Sequence, residues 1–275
     1  MLFKYLPKER VNVLDDLKIR FTPLRSLNDP YESFPLIDAE EARRSAIKSA
    51  SEELDLFWEQ TELSDRTEKN KKTLEDNRKA IIRGVEDSIR PELIANDLMD
   101  NLGDLFGVLS LSRSKTSLLM WSHYCGSHTG LVIGFDDNHD FFHQNDLDGY
   151  RTKPLPVKYS DQRAIVKVDS HNCRENMLCH KPLEWAYEQE ERVFMAYMDE
   201  SKAIGKDEFG AAVILMDIPP KAIKEVYIGC NASEETKLRI LNAKRLNKLD
   251  CIIYESKMSL TEYKLIFSEL TEIVN

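Results

Sequence analysis

The chain predicts an α+β fold: a single domain over 1–275, with a mixed, mainly antiparallel β-sheet core and a helical insertion over about 38–105. Three observations carry this reading. Short apolar runs bounded by turn residues, among them Phe106–Ser112, Thr129–Phe135 and Ile223–Ile228, have strand length and composition. Between Asp38 and Leu105 the apolar spacing changes to that of amphipathic helices. A length of 275 residues, 42% hydrophobic and 31% charged, suffices for a substantial core.

In chain order, Phe3-Lys4-Tyr5 predicts a short edge strand, and Lys8 to about Asp16 a helix. Lys18-Ile19-Arg20-Phe21-Thr22 alternates polar and apolar residues and stops at Pro23, a strand pattern. Leu27-Asn28-Asp29-Pro30-Tyr31-Glu32 is a turn: Asn and Asp side chains bond their own backbone, and Pro30 keeps Asp29 out of the helical region. Within the insertion, Leu54, Phe57 and Trp58 mark one helix, Leu74 to Ile89 a second, and Pro91 the first turn of a third. The insertion reads either as a lid or as a plain structural bundle. Further strands are expected at Pro156–Tyr159, Val193–Met198, Ala211–Ile218 and Cys251–Tyr254, helices at Ile165–Cys179 and 260–273, and a short helix or turn at Ser117–Tyr124. Asn231, with Glu234 three residues on, predicts a capping box.

The net charge of −10 argues against non-specific binding of nucleic acid by the whole surface. Residues 38–105 hold 18 Asp and Glu against 11 Lys and Arg, so most of the excess lies in the insertion. No apolar run is long enough to span a membrane, and Met1-Leu2-Phe3-Lys4-Tyr5 lacks a signal peptide's apolar core, so a cytoplasmic location without membrane partners is expected. Five scattered cysteines predict reduced thiols.

The chemistry concentrates in two stretches. In Lys181-Pro182-Leu183-Glu184-Trp185-Ala186-Tyr187-Glu188-Gln189-Glu190-Glu191-Arg192, the side chains of Glu188 and Glu190 share one face of an extended backbone and Glu191 turns away. Two adjacent carboxylates at the entrance to a core strand cost free energy unless something binds them. Either they form a site, or Arg192 holds Glu188 or Glu190 as an ion pair. The second stretch, Leu119 to Gly130, holds Trp121, His123, Tyr124 and His128, whose rings and polar edges suit a flat heteroaromatic group; the plainer reading makes Trp121 and Tyr124 core residues. Cys125 beside His123 or His128 is a conceivable nucleophile pair with no orienting acid nearby. His171, Cys173, Cys179 and His180 match no paired metal-ligand spacing, so no metal is expected.

Three ordered motifs, Leu27-Asn28-Asp29-Pro30-Tyr31-Glu32, Met120-Trp121-Ser122-His123-Tyr124 with His128-Thr129-Gly130, and Lys181 through Arg192, resemble a bacterial domain family of unknown function. The order Arg20, Ser110-Leu111-Ser112, Glu188-Gln189-Glu190 also resembles the Arg, Ser-x-Ser, Glu-x-Glu layout of ADP-ribosyltransferases. That resemblance implies NAD as substrate, and ADP-ribose transfer to a protein or nucleic-acid acceptor or hydrolysis of the dinucleotide, in a toxin-like or phage-defence effector. It implies Glu190 and Glu188 as catalytic residues, Arg20 on the phosphates, Ser110 bracing the site, Trp121 or Tyr124 packing on the nicotinamide, and His123 among the cofactor-binding residues. Leu111 stands where Thr is usual, and Arg25 and Lys4 rival Arg20. The alternatives are a metal-dependent hydrolase or nuclease using Glu188 and Glu190, and a non-catalytic sensor or interaction module.

Overall fold

Leu2 and Leu6 of the first strand, β1 (Leu2–Leu6), belong to one apolar cluster, while Phe3 and Tyr5 belong to another. A strand whose alternate side chains fill two cores lies inside a sheet rather than at its edge. The computed structural model, which describes residues 1–29, 31–32, 34–103, 106–144, 152–167, 173–196 and 203–270, places β1 accordingly, between two partners. The edge position expected from its short length is corrected by burial on both faces.

The remaining strands are β2 (Lys18–Arg20), β3 (Thr22–Pro23), β4 (Leu36–Ile37), β5 (Phe106–Ser112), β6 (Leu131–Phe135), β7 (Leu155–Pro156), β8 (Lys158–Tyr159), β9 (Ile165–Val166), β10 (His180–Lys181), β11 (Glu190–Ala196), β12 (Leu215–Asp217), β13 (Ile223–Ile228), β14 (Ile252–Met258) and β15 (Leu265–Glu269). The helices are α1 (Asn12–Asp16), α2 (Ala39–Gln60), α3 (Glu68–Ser88), α4 (Pro91–Leu102), α5 (Leu118–Tyr124), α6 (Cys173–Leu178) and α7 (Glu234–Leu246). The chain is α+β, and its main sheet runs β15-β14-β13-β6-β1-β5-β11-β7, with β3 also on β5. Its ladders are antiparallel apart from β13–β14, where α7 supplies the crossover a parallel pair needs.

The chain divides into two compact units. The first comprises Met1–Glu32, Asn101–Gln162 and Cys179–Asn275 and holds the main sheet; the second comprises Ser33–Asp100 and Arg163–Leu178. In the second, α2 and α3 fold back on one another with Arg78 paired to Asp55, and the parallel ladder β4–β9 brings 163–178 to the start of the helices. Asp38 caps α2 through the amides of Glu40 and Glu41, and Thr67 caps α3 through that of Asn70. The helices expected over about 38–105 thus form, with this second segment, a unit of their own. Its apolar stripes bury little: Ala42 is the buried residue of α2, and α3 has none.

In the sheet unit the ladders are uneven. β1 pairs with β6 from Leu2↔Phe135 to Leu6↔Leu131, and β5 pairs with β11 from Phe106↔Ala196 to Ser112↔Glu190. Between β1 and β5 there is a single bridge, Phe3↔Ser112. Beyond it the two strands separate, and the Lys4 ammonium rather than a backbone amide donates to the Ser110 carbonyl at 2.9 Å. The sheet is therefore split at its centre.

Other expectations are corrected by tertiary context. Over 260–270 the expected helix of 260–273 does not form, since Leu265–Glu269 pairs with β14 as a strand; 271–273 lie outside the described residues. Ile165–Cys179 is not one helix, since β9 occupies its start and α6 its end; the stretch 168–172 lies outside the described residues. Ser233, not Asn231, caps α7, because Asn231 is committed to the carbonyls of Ser127 and His128. No described helix is long and apolar enough to cross a membrane.

Two glycines show how tightly the loops behind the sheet are set. A Cβ on Gly130 would overlap the carbonyl oxygen of Leu6, and one on Gly229 that of His128, all of them backbone atoms that cannot swing away. Gly229→Ala should lower stability by more than about 3 kcal/mol, at the severe end of single substitutions. Urea unfolding measures this, and an unchanged midpoint would contradict the close approach.

Candidate functional site

The split between β1 and β5 opens onto a cavity of about 80 Å³. Lys4 and Tyr5 line it from β1, and Ser110 and Ser112 from β5. The three motifs of the sequence meet there: Asn28 and Glu32 from the first, Met120 and Tyr124 from the second, Lys181, Glu188 and Glu190 from the third.

Local structure explains how the third motif delivers two carboxylates. Pro182 starts a 3₁₀ helix over Leu183–Glu188, Gln189 follows in the left-handed region (φ 45°, ψ 50°), and β11 begins at Glu190. Glu188 and Glu190 were expected side by side on an extended backbone. They do converge, but because the left-handed Gln189 reverses the chain between a helix and a strand. Glu191 turns away, as alternation requires, and bonds Arg113 at 2.5 and 2.9 Å.

Five charged side chains make the centre: Glu32, Lys181, Glu188, Glu190 and Arg192 are all buried. Lys181 Nζ lies 2.6 Å from Glu32 Oε1, 2.6 Å from Glu188 Oε2 and 3.2 Å from Glu190 Oε2. The contact to Glu32 is an ion pair without hydrogen-bond geometry, the other close one a hydrogen bond. Arg192 grips Glu190 with two donors, Nε to Oε1 at 2.9 Å and Nη2 to Oε2 at 3.2 Å, and also reaches Glu32 Oε2 at 3.1 Å. The ion-pair reading of Arg192 thus holds for Glu190. Ser112 Oγ donates to the Glu188 carbonyl at 2.6 Å, and Tyr124 donates its phenol to Glu188 Oε1 at 2.6 Å.

These environments push the two carboxyls apart. Burial raises the Glu188 carboxyl above the usual carboxylate range, opposed incompletely by Lys181 and Tyr124. Burial acts on Glu190 too, but Arg192, Lys181 and the Ser110 hydroxyl outweigh it and hold Glu190 at about 2. Burial pulls Lys181 down, and the surrounding carboxylates more than reverse it. Lys4, half-buried at the cavity wall, is lowered to about 8, chiefly by desolvation. A raised and a lowered carboxyl side by side is the arrangement that separates a proton-transferring group from a fixed charge.

The other sequence candidates divide. Tyr124 and Ser110 reach the cavity, the latter as a partner of Glu190. Trp121 does not: it is fully buried among Tyr5, Phe267 and His128, with Nε1 donating to the Lys115 carbonyl at 2.9 Å. His123 is exposed, 6.3 Å from the Tyr187 ring. Arg20 pairs with Asp207 at 2.5 Å and is not among the cavity's residues, whereas its rival Lys4 is. Cys125 is buried with its thiol donating to the Leu131 carbonyl and pushed up to about 12 by burial, which removes it as a nucleophile. Cys125, Cys179, Cys230 and Cys251 form no disulfide among the described residues. Sequence reasoning missed Glu32 and Lys181 as members of the centre. Their signal was position: Glu32 closes the first motif and Lys181 opens the third. The Lys181 ammonium lies between three carboxylates, and no group of metal ligands forms among the described residues.

Residues 120–193 match the model of a family described as a protein of unknown function (DUF2971), in keeping with the family resemblance of the motifs. The matched segment takes in Tyr124, Lys181, Glu188, Glu190 and Arg192; Lys4 and Glu32 precede it. No curated protein and no solved structure matches the chain.

Removing Arg192 would leave Glu190 and Glu32 short of a buried partner, so Arg192→Ala should cost about 3–5 kcal/mol, measurable by chemical unfolding. The depressed Glu190 carboxyl contributes stability that is present above its unfolded value of about 4.3 and lost as pH falls through its folded value of about 2. The stability difference between wild type and Glu190→Gln should therefore shrink across that window. A difference that stays constant from neutral pH to pH 2 would show that Glu190 is not held ionised.

Proposed function

We propose that the cavity is the reacting centre of an NAD-consuming enzyme of the ADP-ribosyltransferase kind, with Glu188 as proton acceptor and Glu190 as fixed charge. One observation carries the reading: β1 with Lys4, β5 with Ser110 and Ser112, and β11 with Glu190 lie side by side in that order, around a split in the sheet. This is the spatial counterpart of a cation, a Ser-x-Ser and a Glu-x-Glu, with Lys4 taking the part that chain position suggested for Arg20. Five buried charges are poor stabilisers, since desolvation offsets most of what their pairing contributes, so a functional reason for keeping them carries weight.

In this reading the bond between the ribose C1′ and the nicotinamide nitrogen breaks, and nicotinamide leaves with the bonding pair. The cation left at C1′ is stabilised by the fixed Glu190 and Glu188 carboxylates. The acceptor's O–H attacks C1′, and its proton passes to Glu188, whose affinity for protons burial raises above that of an ordinary carboxylate. Water as acceptor gives hydrolysis; a protein or nucleic-acid hydroxyl gives ADP-ribosylation, as in a toxin-like or phage-defence effector, and NAD supply suits a cytoplasmic setting. The cavity's 80 Å³ is far below the roughly 300–1,000 Å³ of small-molecule pockets. The reading therefore requires its mouth to yield, where the exposed Asn28 touches the Tyr124 hydroxyl at 3.4 Å.

A second reading, a non-catalytic interaction module, is favoured by the mutual pairing of the five charges, which a purely structural core would also need. Nicotinamide release from NAD separates the two. The enzyme reading expects release by wild type and a loss of roughly 10²–10⁴-fold in Glu188→Gln, the usual contribution of a general base. Absence of release, or equal release by a folded Glu188→Gln, would reject it.

A further inference from the structure

A larger recess lies elsewhere in the sheet unit, a groove of about 530 Å³ between the start of α5, the His128–Asn231 contact and the β14–β15 turn. Unlike the carboxylate cavity, it falls within the roughly 300–1,000 Å³ typical of small-molecule sites. His128 forms part of its wall, with an imidazole held parallel to the Trp121 indole (7° between planes, 6.2 Å between centroids).

The backbone beneath His128 is fixed at a conformational cost. Gly126, Ser127 and His128 all have positive φ (55°, 55° and 67°), an arrangement that non-glycine residues keep only where surroundings enforce it. Asn231 enforces it, donating its amide to the His128 carbonyl at 3.0 Å and its side chain to the Ser127 carbonyl at 3.2 Å. The ring is therefore positioned before any ligand arrives.

Its protonation follows from burial. His128 Nδ1 is buried with no hydrogen-bond partner among the described residues, and a buried N–H without an acceptor is costlier than a bare lone pair, which favours the tautomer with its proton on Nε2. The opposite wall is apolar and strongly exposed. Leu260 and Tyr263 are fully exposed and Met258 is 70% exposed, three large apolar side chains on one turn. The turn's charges, Glu262 and Lys264, pair with each other, which leaves no unmatched charge there for an ionic ligand.

We propose that this groove binds a neutral planar heterocycle the size of a nucleobase or pyridine carboxamide, its ring between His128 and Tyr263 and an acceptor atom toward the His128 N–H. The site stands independently of the chemistry at Glu188, and the two need not share a ligand.

The full chain titrated calorimetrically with adenosine and with nicotinamide tests the proposal. Saturable binding of at least one probe is expected. Tyr263→Ala, which removes a fully exposed ring and leaves the fold untouched, should weaken it roughly 5- to 150-fold, the range for losing one base-stacking ring. His128→Phe, which keeps a flat ring and loses the N–H, should also weaken it. Three results would overturn the proposal: no saturable heat with either probe at millimolar concentration, unchanged affinity in Tyr263→Ala, or binding lost in Glu188→Gln and retained in Tyr263→Ala, which would put the ligand in the carboxylate cavity.

Discussion

The ammonium of Lys181, buried between Glu32, Glu188 and Glu190, is the contact on which the centre of the sheet unit depends. Three carboxylates cannot leave water together without cations, because the desolvation of each costs several kcal/mol. Lys181 and Arg192 supply two charges inside, and Lys4 a third at the cavity wall. The cluster is balanced only when β1 brings Lys4, the first motif Glu32, the second Tyr124, and the third Lys181, Glu188, Glu190 and Arg192. Segments more than a hundred residues apart are thereby held to one geometry by electrostatics as well as by apolar packing.

That constraint has a structural counterpart in the split sheet. A continuous β1–β5 ladder would leave no room for side chains between the strands. Here the ladder stops after Phe3↔Ser112, the Ser110 carbonyl turns to Lys4, and the Ser112 hydroxyl turns to the Glu188 backbone. The Ser110 carbonyl, a group of the kind that holds strand to strand, serves the site instead. The asymmetry between the carboxyls follows. Glu190 has Arg192 on both oxygens and stays ionised, while Glu188 faces the cavity with one ammonium and one phenol and is drawn toward its neutral form. The groove at His128 is built on another principle, strained backbone and stacked rings with no unmatched charge at its turn. The two recesses suit different ligand chemistries.

Much of the fold was legible. The buried strands at 106–112, 131–135 and 223–228 and the helix starting at Pro91 follow from apolar period and Pro placement, which are local properties. The failures share one cause. β1 has edge-strand length but core burial, Leu265–Glu269 has ambiguous spacing and takes strand form because β14 offers a partner, and Asn231 has cap chemistry that His128 and Ser127 claim first. In each case a contact from outside the segment outbid a local preference.

Of the site, the sequence alone determined that Glu188, Glu190 and Tyr124 belong to unusual, motif-dense stretches, that Glu191 turns away, and that Arg192 can hold a neighbouring carboxylate. Those properties depend on spacing within a few residues. The tertiary structure alone decided that Glu32 and Lys181 complete the cluster, that Lys4 rather than Arg20 faces the cavity, and that Trp121 belongs to the core. The physical reason is that burial and charge pairing depend on which distant segments share a volume, and spacing along a chain carries no information about that volume.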